Sequence, residues 1–148
     1  MPRMAFFRDL FAVRRVVEPA AAELAAETAG SSDLEALEAA CTAMEQADPT
    51  SEAAVEADVA FHRAILTACH SDLLLQLGTL IGVGLVTSFR ISTRFYPISL
   101  PHHRPVLTAL RHRHPADARA AMQTLLTETF ADIERQLRES SDTPTIQQ

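Results

Sequence analysis

Between Met4 and Glu139, apolar residues recur at spacings of three and four, and only a few short Gly, Pro, Ser and Asp clusters interrupt them. That periodicity leaves little room for anything but helix. No run alternates apolar and polar residues as a half-buried strand would, and no hairpin turn signal occurs. Composition agrees: Ala occurs 25 times and Leu 17 times against four Gly in 148 residues, which favours helix over sheet. The length fits one domain, and with 47% hydrophobic and 22% charged residues it can build a core. The expected fold class is all-α, a bundle of six to seven helices.

The breakers place six helices. The first runs from about Met4 to Thr28. Gly30-Ser31-Ser32-Asp33 ends it, with Ser32 or Asp33 capping a second helix over about Leu34 to Ala47. Asp48-Pro49-Thr50-Ser51 reads as a turn, with Ser51 or Thr50 capping a third helix that ends near Cys69. Ser71 or Asp72 caps a fourth, about Leu73 to Arg94. Phe95 to Pro101 reads as a loop, and a short fifth helix covers about His102 to Arg113. Pro115 opens the last helix, which reaches about Glu139 ahead of a polar, frayed tail.

Charge and cysteine usage narrow the function classes. All 13 basic residues are Arg, the net charge is −6 and the pI is about 5.4. Surfaces that grip nucleic-acid phosphates are basic, so this chain alone is a poor phosphate binder. Cys41 and Cys69 read as small buried hydrophobes rather than a disulfide framework. The start carries Arg3, Arg8 and Asp9 where a signal peptide needs an apolar run. Leu73 to Phe89 is uncharged, but Gln76, Thr79, Thr87, Ser88 and three Gly suit a helix buried inside a domain or dimer better than a membrane span. No membrane association is expected, and the expected compartment is the cytoplasm.

Helical wheels then single out polar residues that point inward. In the third helix Val55, Val59, Ile65, Leu66 and Cys69 form one arc, and Asp58 and His62, four apart, fall inside it. A buried carboxylate is costly unless paired or metal-bound. An Asp and a His on one helix face can offer an oxygen and a nitrogen to one cation, or can satisfy each other. In the fifth helix His103 centres the face of Val106, Leu107 and Leu110. His102 sits at its rim, while His70, His112 and His114 read as helix-end or solvated residues. In the first helix Arg14 lies inside the stripe of Phe7, Leu10, Phe11, Val17, Ala21 and Leu24, with Glu18 at i+4. Arg14 is then either the partner of Glu18 or a guanidinium aimed at a carboxylate ligand. No nucleophile elbow, Gly-rich phosphate loop, HExxH or CxxC is present.

Four stretches, FRDLFAVRRVVEPAAAELAAE, SSDLEALEAACTAMEQA, EADVAFHRAILTACHSDLLLQL and HHRPVLTALRHRHPADARAAM, resemble the C-terminal effector-binding (FCD) domain of FadR-subfamily, GntR-type transcription regulators. The VRxxVEP opening together with DxxFH carries most of the likeness, which spans about Phe6 to Arg138. The resemblance implies an antiparallel all-helical bundle that binds small organic acids, often through a divalent metal held by one Asp and three His. Carried over, the metal ligands are Asp58, His62 and His103, and the effector-binding residues are Arg14 with those three. The third His falls on Leu125, within ARAAMQTLLTE, and Leu cannot ligate. A zinc or nickel ion would therefore have at most three protein ligands, or else the three residues would bind the effector directly. Within the subfamily the wording is most similar to the galactonate-operon repressors as a group, which points to a sugar acid.

The resemblance implies three segments: an N-terminal remnant at 1–5, the ligand-binding domain at 6–139 and a polar tail at 140–148. It also implies a homodimer that contacts DNA only through a winged helix-turn-helix head, for which residues 1–5 leave no room. The expected function is an effector-sensing and dimerisation domain, not an enzyme. The rival readings are a small metal-dependent enzyme, with Asp and His around an open metal position, and an interaction module with no ligand.

Overall fold

A computed structural model describes residues 2–91 and 100–142. The described residues form six α-helices and no strand: α1 (Pro2–Thr28), α2 (Ser31–Gln46), α3 (Glu52–Thr67), α4 (Asp72–Ile91), α5 (His103–Arg111) and α6 (Pro115–Ser141). A 3₁₀ turn, Leu100–His102, leads into α5. The all-helical bundle inferred from the periodicity is the fold found.

Several boundaries differ from those read in the sequence, each for a local reason. Gly30, not Ser32 or Asp33, is the N-cap of α2, so the helix starts three residues early. Gly30 has no side chain to offer. Instead Asp33, at the third helical position, accepts from the Gly30 N–H at 2.8 Å and holds the entry from inside the helix. Ser51 caps α3 as expected, accepting from the Ala54 N–H. That helix stops at Thr67 rather than Cys69, because His70 takes a left-handed backbone (φ 53°) that turns the chain into α4. Arg113 (φ 56°) does the same after α5, which is shorter than expected at both ends. Pro101 belongs to the 3₁₀ turn rather than to a loop, and α6 continues to Ser141. The expected fourth-helix end at 92–94, most of the loop after it, and residues 143–148 of the tail lie outside the described residues.

Side-chain pairings fix the helix directions. Along α1 and α6, Glu23 meets Arg119 while Phe11 and Arg15 meet Phe130, so the two run antiparallel. Glu38 of α2 pairs with Arg111 of α5, and Glu45 with Arg104, again antiparallel. The short turns α2–α3 and α3–α4 demand the same of their helices. Two glycines of α4 allow its close packing on α1 and α3. A Cβ on Gly78 of α4 would lie 2.9 Å from the Leu66 side chain of α3, and one on Gly84 would lie 2.6 Å from that of Leu10 in α1. The core is continuous from Phe7 and Phe11 through Leu37, Phe61 and Ile65 to Leu110, Met122 and Leu126. Both cysteines are free and buried, and burial pushes each thiol up to about 11.

The glycines give opposite expectations. Leu66 is fully buried and cannot give way, so Gly78→Val should destabilise by about 1–3 kcal/mol through overpacking. At Gly82 a Cβ meets only an ordinary 3.4 Å contact with Val59, so Gly82→Ala should stabilise by about 0.5–1 kcal/mol through helix propensity. Urea midpoints of the two variants check both signs.

Candidate functional site

Where α1, α3 and α5 meet, five ionisable side chains are withdrawn from solvent: Arg14 (3% exposed), Glu18 (0%), Asp58 (7%), His62 (2%) and His103 (2%). Each is placed by helical spacing. Arg14 and Glu18 lie one turn apart on the inner face of α1, and Asp58 and His62 one turn apart on that of α3. His103 is the first residue of α5, brought in by the 3₁₀ turn before it. Phe61, fully buried, packs edge-on against the His103 ring at 4.9 Å between centroids.

Asp58 Oδ1 is the focus. His103 Nε2 lies 2.8 Å from it and His62 Nε2 3.4 Å. The three ligating atoms lie within 4.8 Å of one another. Two ligands on a tetrahedral ion at about 2.1 Å are about 3.4 Å apart, so this donor set, one carboxylate oxygen and two imidazole nitrogens, fits a transition-metal ion in both spacing and type.

Glu18 holds the other side. Its Oε2 accepts from Arg14 Nε at 2.6 Å, and its Oε1 faces His62 Nδ1. Arg14 Nη2 rests 3.2 Å from His62 Nε2, and the guanidinium lies 4.9 Å over the Phe11 ring. The same Nη2 lies 3.4 Å from His62 Nδ1, so the guanidinium sits across the imidazole and contacts both of its nitrogens. The electrostatics follow. Burial disfavours the charged form of Glu18, but Arg14 and His62 outweigh it and hold the carboxyl down to about 2. Burial likewise opposes the Asp58 charge, and the two imidazoles overcome it and hold its pKa well below the ordinary value. His62 is disfavoured as a cation by burial and by Arg14, yet Glu18 and Asp58 push it up to about 9.

The FCD domain model matches residues 9–128. The chain belongs to the FCD domain family. It is 37% identical over 131 residues to the galactonate operon transcriptional repressor of Escherichia coli (strain K12), covering 86% of this chain and 56% of the repressor. The solved structure of Streptococcus agalactiae GntR superposes with a TM-score of 0.73 at 25% identity, covering 87% of this chain and 60% of that one. The chain thus spans little more than half the length of the relatives it matches. The family is a regulatory one, an effector-binding domain of GntR/FadR-type regulators, and the matched relatives are regulators rather than enzymes.

The FCD fold brings Arg14, Asp58, His62 and His103, the residues singled out in the sequence, to one place. Arg14 is paired to Glu18 and also touches His62. Leu125 is buried on α6 at 1% exposure. His102, His112 and His114 lie at helix ends, and His114 faces Asp117 at 3.3 Å. His70 Nε2 lies 2.9 Å from Asp33. The reading of the sequence missed the second role of Glu18. Its spacing from Arg14 suggested one partner, but nothing in the chain signals that α3 brings His62 to its other oxygen. Among the described residues no helix is long and apolar enough to cross a membrane.

The charge cluster gives stability a defined pH window in chelator-treated protein. Glu18 contributes stability present above its ordinary value of 4.5 and lost as pH falls through about 2. His62 contributes stability present below 6.5 and lost as pH rises through about 9. Urea midpoints should therefore be flat between pH 4.5 and 6.5 and fall towards pH 9. In His62→Gln the alkaline decline should shrink.

Proposed function

We propose that residues 6–139 form the ligand-sensing and dimerisation domain of a transcription regulator, and that its ligand is a small organic acid, with galactonate or a related sugar acid as the first choice. The observation that carries the reading is the burial of Arg14 beside Asp58, His62 and His103. A guanidinium fork matches a planar carboxylate. Asp58, His62 and His103 would hold a zinc or nickel ion, which when bound supplies a Lewis-acid contact for the acid's oxygens. With Leu125 in place of a third His, the protein gives at most three ligands and leaves the remaining positions to water or the effector. Identity with a galactonate operon repressor supports the sugar-acid choice.

The partner in this reading is a second copy. Along α4, Leu73 (80% exposed), Leu77, Leu80 (64%) and Val83 form an outward apolar row, and α1 adds Val13 and Val16. A dimer that covers it would bury at least about 1,000 Å². The acid would favour one dimer arrangement over another and so change the spacing of attached DNA-binding heads. DNA contact is assigned to a separate N-terminal head, and the setting to the cytoplasm. The net charge of −6 agrees with a domain that does not itself grip DNA.

Calorimetry of the zinc- or nickel-loaded chain with galactonate tests the reading. Binding is expected, and Arg14→Lys, which keeps the charge but loses the fork, should weaken it by about 10- to 100-fold. No heat with galactonate or other sugar acids, in the presence or absence of metal, would reject it. On the same instrument Leu125→His should tighten zinc or nickel binding by supplying the third imidazole. Equal affinities would show that position 125 does not face the other ligands.

A further inference from the structure

We propose that Glu18 is a positioning residue for the ligand site: one of its oxygens sets which nitrogen His62 presents to Asp58 and His103, and the other anchors the Arg14 guanidinium. The inference rests on the reading above, that these side chains take a cation and an acid. Glu18 itself need touch neither.

Glu18 is fully buried and its two oxygens face different groups, Oε2 on Arg14 Nε and Oε1 on His62 Nδ1. His62 faces a carboxylate at each nitrogen. Glu18 Oε1 approaches Nδ1 more closely than Asp58 Oδ1, already engaged by His103 at 2.8 Å, approaches Nε2, so a neutral ring keeps its hydrogen on Nδ1. The nitrogen left to give up its hydrogen is Nε2, the one that lies 3.4 Å from Asp58 Oδ1 and belongs to the cluster of three. Ligating imidazoles are oriented in this way, by a carboxylate on the far nitrogen. The same carboxylate fixes the guanidinium at Nε, so Arg14 stands with Nη2 3.2 Å from His62 Nε2. A cation on that nitrogen and the Arg14 head are therefore close neighbours held by one carboxylate. A shift of either is passed to the other through Glu18.

The isosteric amide separates this role from bulk. Glu18→Gln keeps the volume but has one oxygen, so it can accept from His62 or from Arg14 and not from both. Two measurements on the full chain test it: zinc affinity by chelator competition, and long-range proton–nitrogen NMR of the His62 ring. In the wild type the zinc-loaded ring should carry its hydrogen on Nδ1. In Glu18→Gln zinc affinity should fall by about 10- to 100-fold, and the Nδ1 hydrogen, no longer held by a carboxylate, should exchange faster with solvent. Unchanged affinity and an unchanged ring pattern would overturn the proposal and leave the ligand-site reading standing. A wild type that binds no zinc would count against that reading instead, and the metal-free ring, deprotonated by raising the pH, then decides. Hydrogen on Nδ1 in the wild type and a mixture in the variant supports the proposal, and identical populations overturn it. Should Glu18→Gln fail to fold, Glu18→Asp, which keeps the charge and draws the oxygens back by one methylene, is read in the same way.

Discussion

A carboxylate with no exposed surface has to be neutralised where it lies, and Glu18 is neutralised by Arg14 from its own helix and His62 from another. That requirement ties α1 to α3, and Asp58, one turn before His62, ties α3 to the start of α5 through His103. Packing this many charges inside a bundle is an inefficient way to stabilise it. Apolar side chains of the same volume would be neutral or better, while loss of a single member strands an uncompensated charge. The proposed ligand-sensing function gives such a cluster a role that stability alone does not.

The buried charge cluster and the exposed apolar row lie on the same elements. Arg14 and Glu18 face inward from α1, while Val13 and Val16 face outward within a turn of them. On α3, His62 faces the cluster, and Leu66, one turn on, meets Gly78 of α4, whose other side carries the exposed leucines. One layer of close-packed helix separates Arg14 and His62 from the outer apolar row. Tightly packed interiors pass on small shifts instead of absorbing them.

Much of this was legible in the chain, because the signal was local. Asp58, His62, His103 and Arg14 stood out as polar residues on apolar stripes, a judgement that needs only the 3.6-residue period, and the bundle followed from the same period. What stayed hidden depends on distances between helices. Glu18 was seen only as a partner for Arg14, since nothing in VRRVVEP states that α3 delivers His62 to its other oxygen. The start of α2 was misplaced because Asp33 holds the Gly30 N–H from inside the helix rather than from its cap. The end of α3 was missed because the left-handed turn falls on His70, a residue type that does not advertise that conformation as Gly does.

The central claim is that this buried cluster is where a cation and an acid are held. Anomalous diffraction from crystals of the zinc-loaded chain, grown with a sugar acid, tests it most directly. The account predicts a zinc peak about 2.0–2.2 Å from Asp58 Oδ1, His62 Nε2 and His103 Nε2, with the acid's carboxylate on Arg14. A zinc peak confined to surface histidines, with Arg14 still packed across the His62 ring and no acid beside it, would contradict it.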